Sequence, residues 1–488
     1  MSAVRPLGLR SGASAISVTT TAPQAAAVDA PAQTRPALTD TDTDTHTGTA
    51  TAGTAPTDPA PATDPVARAA PTTRLRKGRF EFLDALRGIA AMAVVLQHAA
   101  EFIWPAYLKF SIEVVRPGEF GVVLFFLVSG FIIPASIEKY DSLGRFWVGR
   151  FFRLFPLYWA CVLAALFLHF GVDRYAMPEG YETRPRLYAL VNMTMVQGFV
   201  EGPLVIGASW SLAYEMVFYL VISLLFIAGL TRRSVPLAVG GLCGVLVAGT
   251  YIPARLVTAP DALHRSWLTV VGVTLLVAIF IACRASTPAH RVLAVGIAGL
   301  AVPLALNQGE RMWFSLLLFS IMFTGTVMYR ITTGEVSGRV GWSVVAFAAV
   351  VALAVHFFHV ESRIEPLAGA RVSWQTESLT FLLALGAFVI AMLLRQRAFP
   401  APLLFFGRIS YSLYLVHTLV LYAVPWWSEE AAASFGLGLS TKVLTYATWV
   451  GLTVAVSWVT FRLIEKPFQD LGHRLTKRQV APVPAPAA

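Results

Sequence analysis

Long apolar runs, separated by short polar or charged segments, fill the chain from residue 82 to residue 463. Each run is close to the roughly 20 residues that an α-helix needs to cross the hydrocarbon core of a bilayer. Twelve runs can be counted, at 82–103, 118–136, 147–170, 208–229, 235–253, 267–283, 291–306, 311–329, 340–358, 375–394, 402–425 and 441–463. The pattern predicts an all-α integral membrane protein, a polytopic bundle of about 10 to 12 transmembrane helices, in which a short run such as 291–306 can be re-entrant.

The composition and the position of the charges agree with a bilayer environment. Of the 488 residues, 56% are hydrophobic and 14% are charged, and the mean hydropathy is +0.64. The formal net charge of +10 would also suit a nucleic-acid partner, but the basic residues flank the apolar runs in small clusters. With a cytoplasmic amino terminus, the positive-inside rule is met by Lys139 with Arg145, Arg232 with Arg233, Arg284 with Arg291, Arg330 with Arg339, and Arg395 with Arg397. We therefore predict a multi-pass protein of the cytoplasmic membrane with both termini in the cytoplasm and no nucleic-acid partner.

The ends of the chain differ in composition from its apolar middle. Residues 1–73 are rich in Ala, Thr, Pro and Asp and are predicted to be a disordered cytoplasmic tail, because they cannot bury a core. They lack the apolar core and cleavage site of a secretory signal. Residues 74–474 then form the membrane domain, and residues 475–488 form a second disordered tail. The three cysteines lie inside apolar runs without the spacing of a disulfide framework or a zinc site, so no metal is expected.

Three ionisable residues of the first apolar run are the first candidates for chemistry. Relative to Asp84, Arg87 lies at about 300° and His98 at about 320° around a helix, so all three share one face. The rise per residue puts His98 about 16 Å deeper in the membrane than Arg87. Ionisable groups in hydrocarbon usually have a function. The alternative is that Asp84 and Arg87 reach the inner interface while His98 makes one interhelical hydrogen bond.

A second polar face follows from Ser211, Glu215 and Tyr219, which recur at every fourth position. If this helix enters from outside near Ala208, Glu215 lies about 10 Å below the outer surface, close to the depth expected for His98. A carboxylate beside an imidazole fixes its tautomer and raises its basicity, as a general base requires. The pattern thus predicts that Glu215 and His98 meet. The alternative is a structural ion pair between Glu215 and an arginine.

A pair of arginines lies near the start of the third apolar run. Arg150 and Arg153 are one helical turn apart at the inner membrane face. Two guanidinium groups at this spacing suit a polyphosphate, which they can bind through paired hydrogen bonds. The alternative interpretation is a positive-inside anchor for the helix.

Together these segments resemble the acyltransferase-3 family, the bacterial membrane acyltransferases that include O-antigen acetylases, nodulation-factor acetylases and macrolide acyltransferases. Six motifs occur in the family's order, namely Leu83-Asp84-Ala85-Leu86-Arg87-Gly88 with His98, Phe125-Phe126-Leu127-Val128-Ser129-Gly130-Phe131, Arg150-Phe151-Phe152-Arg153 with Pro156 and Tyr158, Trp210-Ser211-Leu212 with Glu215, Ile409-Ser410-Tyr411-Ser412-Leu413-Tyr414-Leu415-Val416-His417, and Ile464-Glu465-Lys466-Pro467. The resemblance covers residues 80–470, although residues 230–400 contribute hydropathy and little motif. One such motif would be weak, but six in order are specific.

The resemblance implies that acyl-CoA, first of all acetyl-CoA, is the donor from the cytoplasm. It also implies that Arg87 and His98 are essential and that Arg150 and Arg153 contact the CoA phosphates. We assign His98 as the general base on the acceptor hydroxyl, Glu215 as its orienting or charge-stabilising partner, and Arg87 as a stabiliser of the phosphates or the thioester oxygen. A phosphopantetheine arm of roughly 20 Å would bridge the rise of about 16 Å to the histidine. Further candidates for the pocket are Asp84, Ser211, Tyr219, Ser410, Tyr411 and His417, for the last three of which helix packing is an equal alternative.

The expected activity is transfer of an acetyl or other short acyl group to a hydroxyl of a carbohydrate, in a cell-envelope glycan or glycolipid, or of a secondary metabolite. One alternative is a transporter or flippase in which the buried Arg, His and Glu form a relay. Another is a structural or sensor protein without turnover. Some family members carry an extracytoplasmic hydrolase-like domain, and nothing after Pro467 resembles one, so we expect the membrane domain or a partner protein to handle the acceptor. The acceptor, the acyl length, the oligomeric state and the role of the long amino-terminal tail stay open.

Overall fold

The computed structural model describes residues 80–172, 175–178, 180–200, 202–252, 263–307, 311–360, 363–365, 370–423 and 439–478. All of them belong to the larger of two units in the chain, residues 75–488. The predicted amino-terminal tail lies outside the described residues. So does the predicted carboxy-terminal tail, apart from its first four residues, which continue the last helix to Arg478.

Helices account for nearly all of the described chain. They are α1 (Glu81–Ile103), α2 (Pro105–Glu113), α3 (Pro117–Tyr140), α4 (Leu143–Phe170), α5 (Pro185–Met193), α6 (Ser209–Ile227), α7 (Ser234–Tyr251), α8 (Leu263–Arg284), α9 (Pro288–Leu306), α10 (Met312–Thr333), α11 (Gly338–His359), α12 (Trp374–Leu393), α13 (Ala401–Arg408), α14 (Ser410–Ala423), α15 (Leu439–Thr460) and α16 (Lys466–Arg478). Short 3₁₀-helices cover Tyr181–Thr183 and Gln197–Phe199, and Phe461–Glu465 is π-helical. Strands β1 (Arg363–Glu365) and β2 (Ala370–Val372) form a small antiparallel hairpin, with Ile364 opposite Arg371.

The predicted all-α polytopic membrane fold is confirmed. In the described chain, nine helices are long and apolar enough to cross a membrane, and α13 with α14 makes a tenth if this pair, bent by 70°, is one span. Two further apolar helices, Ser234–Gly249 and Val270–Arg284, are shorter. Each of the twelve predicted runs therefore corresponds to a helix, except that the run at 402–425 is broken at Ile409.

Short capped turns join several helices at one end of the bundle, which we call the basic end because Lys139, Arg145, Arg330 and Arg339 lie there. The side chains of Ser142, Thr287 and Ser337 accept hydrogen bonds from the first turns of α4, α9 and α11. Such caps satisfy backbone N–H groups that have no partner inside the helix. Three of the connections at this end are only two to four residues long.

Close helix crossings at glycines hold the centre of the bundle together. A Cβ atom at Gly407 of α13 would overlap the backbone of Asp84 in α1, and one at Gly130 of α3 would overlap the backbone of Met322 in α10. The hydroxyl of Thr326 donates to the carbonyl of Gly130 at 2.8 Å across the second crossing. Small residues permit such approaches in membrane bundles, where van der Waals packing drives helix association. The motif from Phe125 to Phe131 thus contains its glycine, Gly130, for a packing reason.

The segment that leads into α6 runs inside the bundle. The indole N–H of Trp159 donates to the carbonyl of Met193 at 2.9 Å. Trp159 lies eleven residues before Phe170, the last residue of α4, so this contact is about 16 Å below that end of the helix. Gln197 and Ile206 are fully buried, and Gln197 donates to the hydroxyl of Ser209 at 2.7 Å. Helix α6 therefore begins well inside the membrane domain.

Candidate functional site

Charged side chains from α1 and α6 meet in the half of the bundle nearer the basic end. Arg87 lies 3.6 Å from the carboxylate of Asp84, one turn earlier on the same helix. It is also within electrostatic range of Glu215, on the neighbouring face of α6. Glu215 in turn accepts a hydrogen bond from the hydroxyl of Tyr219. The predicted polar faces of the two helices are thus turned towards each other.

Helix α4 adds two guanidinium groups to this charged cluster. Arg150 is 8% exposed and its guanidinium carbon lies 5.3 Å from the ring centre of Tyr219 and 5.4 Å from that of Phe146. Arg153, one turn further along, is within electrostatic range of Arg87 and of Glu465. Among the described residues neither Arg150 nor Arg153 has a carboxylate at ion-pairing distance. Two neighbouring cations without such a partner are a favourable arrangement for an anion.

A buried hydrogen bond between α6 and α14 lies beyond the charged cluster. The hydroxyl oxygens of Ser211 and Tyr414 are 2.6 Å apart, and both residues are buried. Ser211 is one helical turn before Glu215, and Tyr414 is one turn before His417. This pair therefore connects the charged cluster with the next group of polar residues.

Two imidazoles meet at the far side of that hydrogen bond. The ring centres of His98 and His417 are 5.1 Å apart, with the ring planes at 55°. The Nδ1 of His98 lies 2.9 Å from the carbonyl oxygen of Val94, and the Nδ1 of His417 lies 3.1 Å from that of Leu413. His98 is partly exposed, whereas His417 is fully buried. The side chain of His98 is thus within reach of a ligand, and His417 lies behind it.

The structure does not join His98 to Glu215. Among the described residues no hydrogen bond connects them, and Glu215 lies with Tyr219 and Arg87 while His98 faces His417. The prediction that they meet assumed that α6 begins at the membrane surface. Because the preceding segment runs inside the bundle, α6 starts deeper and carries Glu215 towards the basic end.

The other predicted pocket residues surround the bend between α13 and α14. Ser410 is the buried first residue of α14, and Tyr411 donates its hydroxyl hydrogen to the carbonyl of Leu154 at 2.7 Å. This hydrogen bond connects α14 with the helix that carries Arg150 and Arg153. The contact that Tyr411 makes is therefore structural.

Two residues that the sequence motifs contain, Tyr414 and Glu465, were not predicted as residues of the site. Tyr414 shares one face of α14 with Ser410 and His417, so helical periodicity alone would have included it. Glu465, 4% exposed, accepts from the hydroxyl of Ser412 at 2.6 Å and from the side-chain amide of Gln469 at 2.9 Å. It lies in the π-helical turn, which directs its carboxylate inwards, and nothing in the sequence signals such a turn.

The arrangement as a whole is a polar path along the bundle. It begins at Arg150 and Arg153, continues through Arg87 with Glu215 and through Ser211 with Tyr414, and ends at His98. No group of three or more His, Cys, Asp or Glu side chains arranged to bind a metal ion occurs within the described residues. The path has two guanidinium groups at one end and an imidazole at the other.

Comparison with known proteins is consistent with this chemistry. The sequence model of a family described as an acyltransferase domain matches residues 80–462. The chain is similar to acyltransferase MdmB of Streptomyces mycarofaciens, with 27% identity over 203 residues, 39% of this chain and 52% of that protein. It is 25% identical over 181 residues to putative acetyltransferase ORF330 of Acidianus two-tailed virus, 37% of this chain and 51% of that protein. Nodulation protein 10 of Rhizobium leguminosarum bv. viciae is 26% identical over 185 residues, 32% of this chain and 46% of that protein. The chain thus matches about half the length of these curated relatives.

Proposed function

We propose, from the premise that this chain belongs to the acyltransferase-3 family, that it is a membrane O-acyltransferase. It takes an acetyl or other short acyl group from acyl-CoA and transfers it to a hydroxyl of a carbohydrate or of a secondary metabolite. A relative named as a putative acetyltransferase supports the acetyl group as the first to test. The protein acts in the cytoplasmic membrane, with the basic end facing the cytoplasm, where acyl-CoA is found.

The observation that carries the proposal is the pair Arg150 and Arg153. Both lie in the charged cluster, and neither has an ion-pairing carboxylate among the described residues. Charges held in a membrane domain are costly unless they are paired, so they need an anionic ligand. The phosphates of CoA supply that charge, and Arg87 lies where it can stabilise either these phosphates or the developing charge on the thioester oxygen.

The distance between the arginines and His98 agrees with the length of the donor. His98 follows Arg87 by eleven residues of α1, which corresponds to about 16 Å. CoA carries its thiol at the end of a long flexible arm, so its phosphates and its acyl group can occupy the two ends of the path together. The acyl carbonyl then lies beside His98 and the Ser211–Tyr414 pair.

His98 acts as the general base in this proposal. Because its Nδ1 faces a carbonyl oxygen, which can only accept, the hydrogen of the neutral ring is on Nδ1 and the lone pair is on Nε2. Nε2 removes the proton of the acceptor hydroxyl as its oxygen attacks the thioester carbon. The carbon–sulfur bond then breaks, and CoA leaves with the proton. Glu215 acts at a distance, by balancing the charge of Arg87 and Arg150.

The test uses the full-length protein purified in detergent, with radiolabelled acetyl-CoA as the probe. Binding and slow hydrolysis are measured first, since water then replaces the unknown acceptor. The double variant Arg150→Ala/Arg153→Ala should lose binding, whereas His98→Ala should bind normally and lose turnover. Arg145→Ala, a change at the same end of α4 outside the charged cluster, is the matched control and should behave as wild type.

Two outcomes would reject the proposal. Turnover retained by His98→Ala would reject the mechanism, and absence of binding by wild type, with other short acyl-CoAs also tried, would favour the transporter alternative. If wild type binds and hydrolyses acetyl-CoA, candidate acceptors with a sugar hydroxyl are compared with hydroxylated secondary metabolites by the gain in rate over water.

A further inference from the structure

His417 has no assigned role in the reaction described above, yet its ring lies against that of the proposed base, His98. It is fully buried in α14, and its Nε2 has no hydrogen-bond partner among the described residues. Buried polar atoms are nearly always paired, since an unpaired one costs about 1–3 kcal/mol. An unpaired nitrogen beside the proposed base therefore calls for a functional explanation.

The backbone fixes the tautomer of both imidazoles. The Nδ1 atoms of His98 and His417 each face the carbonyl oxygen four residues earlier on their own helix, at 2.9 Å and 3.1 Å. A carbonyl oxygen can only accept, so in both neutral rings Nδ1 carries the hydrogen and Nε2 carries a lone pair. Two such lone pairs cannot bond to each other. One additional proton between the two Nε2 atoms gives each of them a hydrogen-bond partner.

The surroundings of His417 leave His98 as its chemical partner. Its ring centre is 5.1 Å from that of His98 and 6.1 Å from that of Tyr414. The hydroxyl of Tyr414 is already engaged with Ser211. Because His417 is buried and His98 is partly exposed, a substrate reaches His98 first.

We propose, on the basis of the acyltransferase function above, that His417 is a positioning residue whose Nε2 accepts a hydrogen bond from the protonated ring of His98. When the acceptor oxygen bonds to the thioester carbon, its proton moves to Nε2 of His98 and is shared with Nε2 of His417. When the carbon–sulfur bond breaks, the electron pair leaves on sulfur, which takes the same proton and departs as the thiol of CoA. No other reactant is needed.

A hydrogen bond to a charged group is stronger than one between neutral groups. Replacing His417 by Phe keeps a buried ring but removes the acceptor, so the kcat of acetyl-CoA hydrolysis should fall roughly ten- to a hundred-fold. The KM for acetyl-CoA should stay unchanged, because the nucleotide binds at the other end of the path. Replacing His417 by Gln keeps an oxygen acceptor and should restore a large part of the rate.

A double-variant cycle separates this role from a structural one. If His417 acts only through His98, adding His417→Phe to His98→Ala should cost no further activity. Independent, multiplying losses, or equal losses in His417→Gln and His417→Phe, would overturn the proposal. Unchanged acetyl-CoA binding shows that each variant is folded, and if His417→Phe fails this check, His417→Leu takes its place in the cycle.

The measurements distinguish the role of His417 from the acyltransferase function itself. An active wild type with an equally active His417→Phe variant overturns the role of His417 alone. A wild type that neither binds nor hydrolyses any short acyl-CoA overturns the acyltransferase function and the role of His417 with it.

Discussion

The hydroxyl oxygens of Ser211 and Tyr414, 2.6 Å apart, join helix α6 to helix α14 midway between the charged cluster and the two imidazoles. The two residues are 203 positions apart in the sequence. Their hydrogen bond is buried, and buried polar contacts of this kind fix one arrangement of the helices that carry them. This contact therefore helps to fix the relative position of Glu215 and His417.

Removing either hydroxyl should disturb both stability and turnover. In Ser211→Ala or Tyr414→Phe the remaining hydroxyl loses this buried partner, which costs about 1–3 kcal/mol. The double variant should cost less than the sum of the single ones, with a coupling of about 0.5–3 kcal/mol, measured from thermal unfolding in detergent. Tyr251→Phe, at an exposed position, is the control and should have no effect. Additive losses would show that the hydroxyls do not interact.

The charge of Glu215 should oppose binding of the donor while supporting turnover. Its carboxylate is within electrostatic range of Arg87, and it has Tyr219 as a common neighbour with Arg150, so Glu215→Gln makes the cluster more positive without changing its shape. We expect the Kd for acetyl-CoA to fall about two- to ten-fold, because an opposing charge has been removed, and kcat to fall because the arginines are no longer balanced. Asp141→Asn, an exposed change at the basic end, controls for net charge. A weaker binding of acetyl-CoA by Glu215→Gln would contradict the arrangement.

The sequence predicted the elements of this protein better than it predicted their contacts. Hydropathy located the helices because each span must be apolar along its length, whatever its neighbours are. The motifs likewise placed Arg87 and Arg150 towards the inner membrane face, but Glu215 was expected beside His98 and lies within electrostatic range of Arg87 instead. The depth of α6 was not predictable, because it depends on Trp159 binding the carbonyl of Met193 inside the bundle. For the same reason, the described residues show no hydrogen bond between His98 and Glu215, which were expected to meet.

The glycine of the Ser129-Gly130 motif should be essential for packing. A Cβ at Gly130 would overlap the backbone of Met322, and backbone cannot move aside as the end of a side chain can. Gly130→Ala should therefore destabilise the protein by about 1–3 kcal/mol or more, seen as a lower melting temperature in detergent. Gly299→Ala, where the space around the glycine is open, is the matched control and should not lower it. Equal melting temperatures for the two variants would disprove the close crossing.

The orientation of the bundle follows from its basic end and can be measured with single cysteines. Ser286 lies in an exposed turn at the basic end, and Thr183 is exposed at the opposite end. In a background where Cys161, Cys243 and Cys283 are changed to Ser, an impermeant maleimide should label Thr183→Cys in intact cells. It should label Ser286→Cys only after the membrane is permeabilised, because the positive-inside rule keeps basic loops in the cytoplasm. The reverse pattern would place the arginines of α4 away from cytoplasmic acyl-CoA and would contradict the direction of transfer. The Cys-free background must retain acetyl-CoA hydrolysis, which shows that the labelled protein is the native fold.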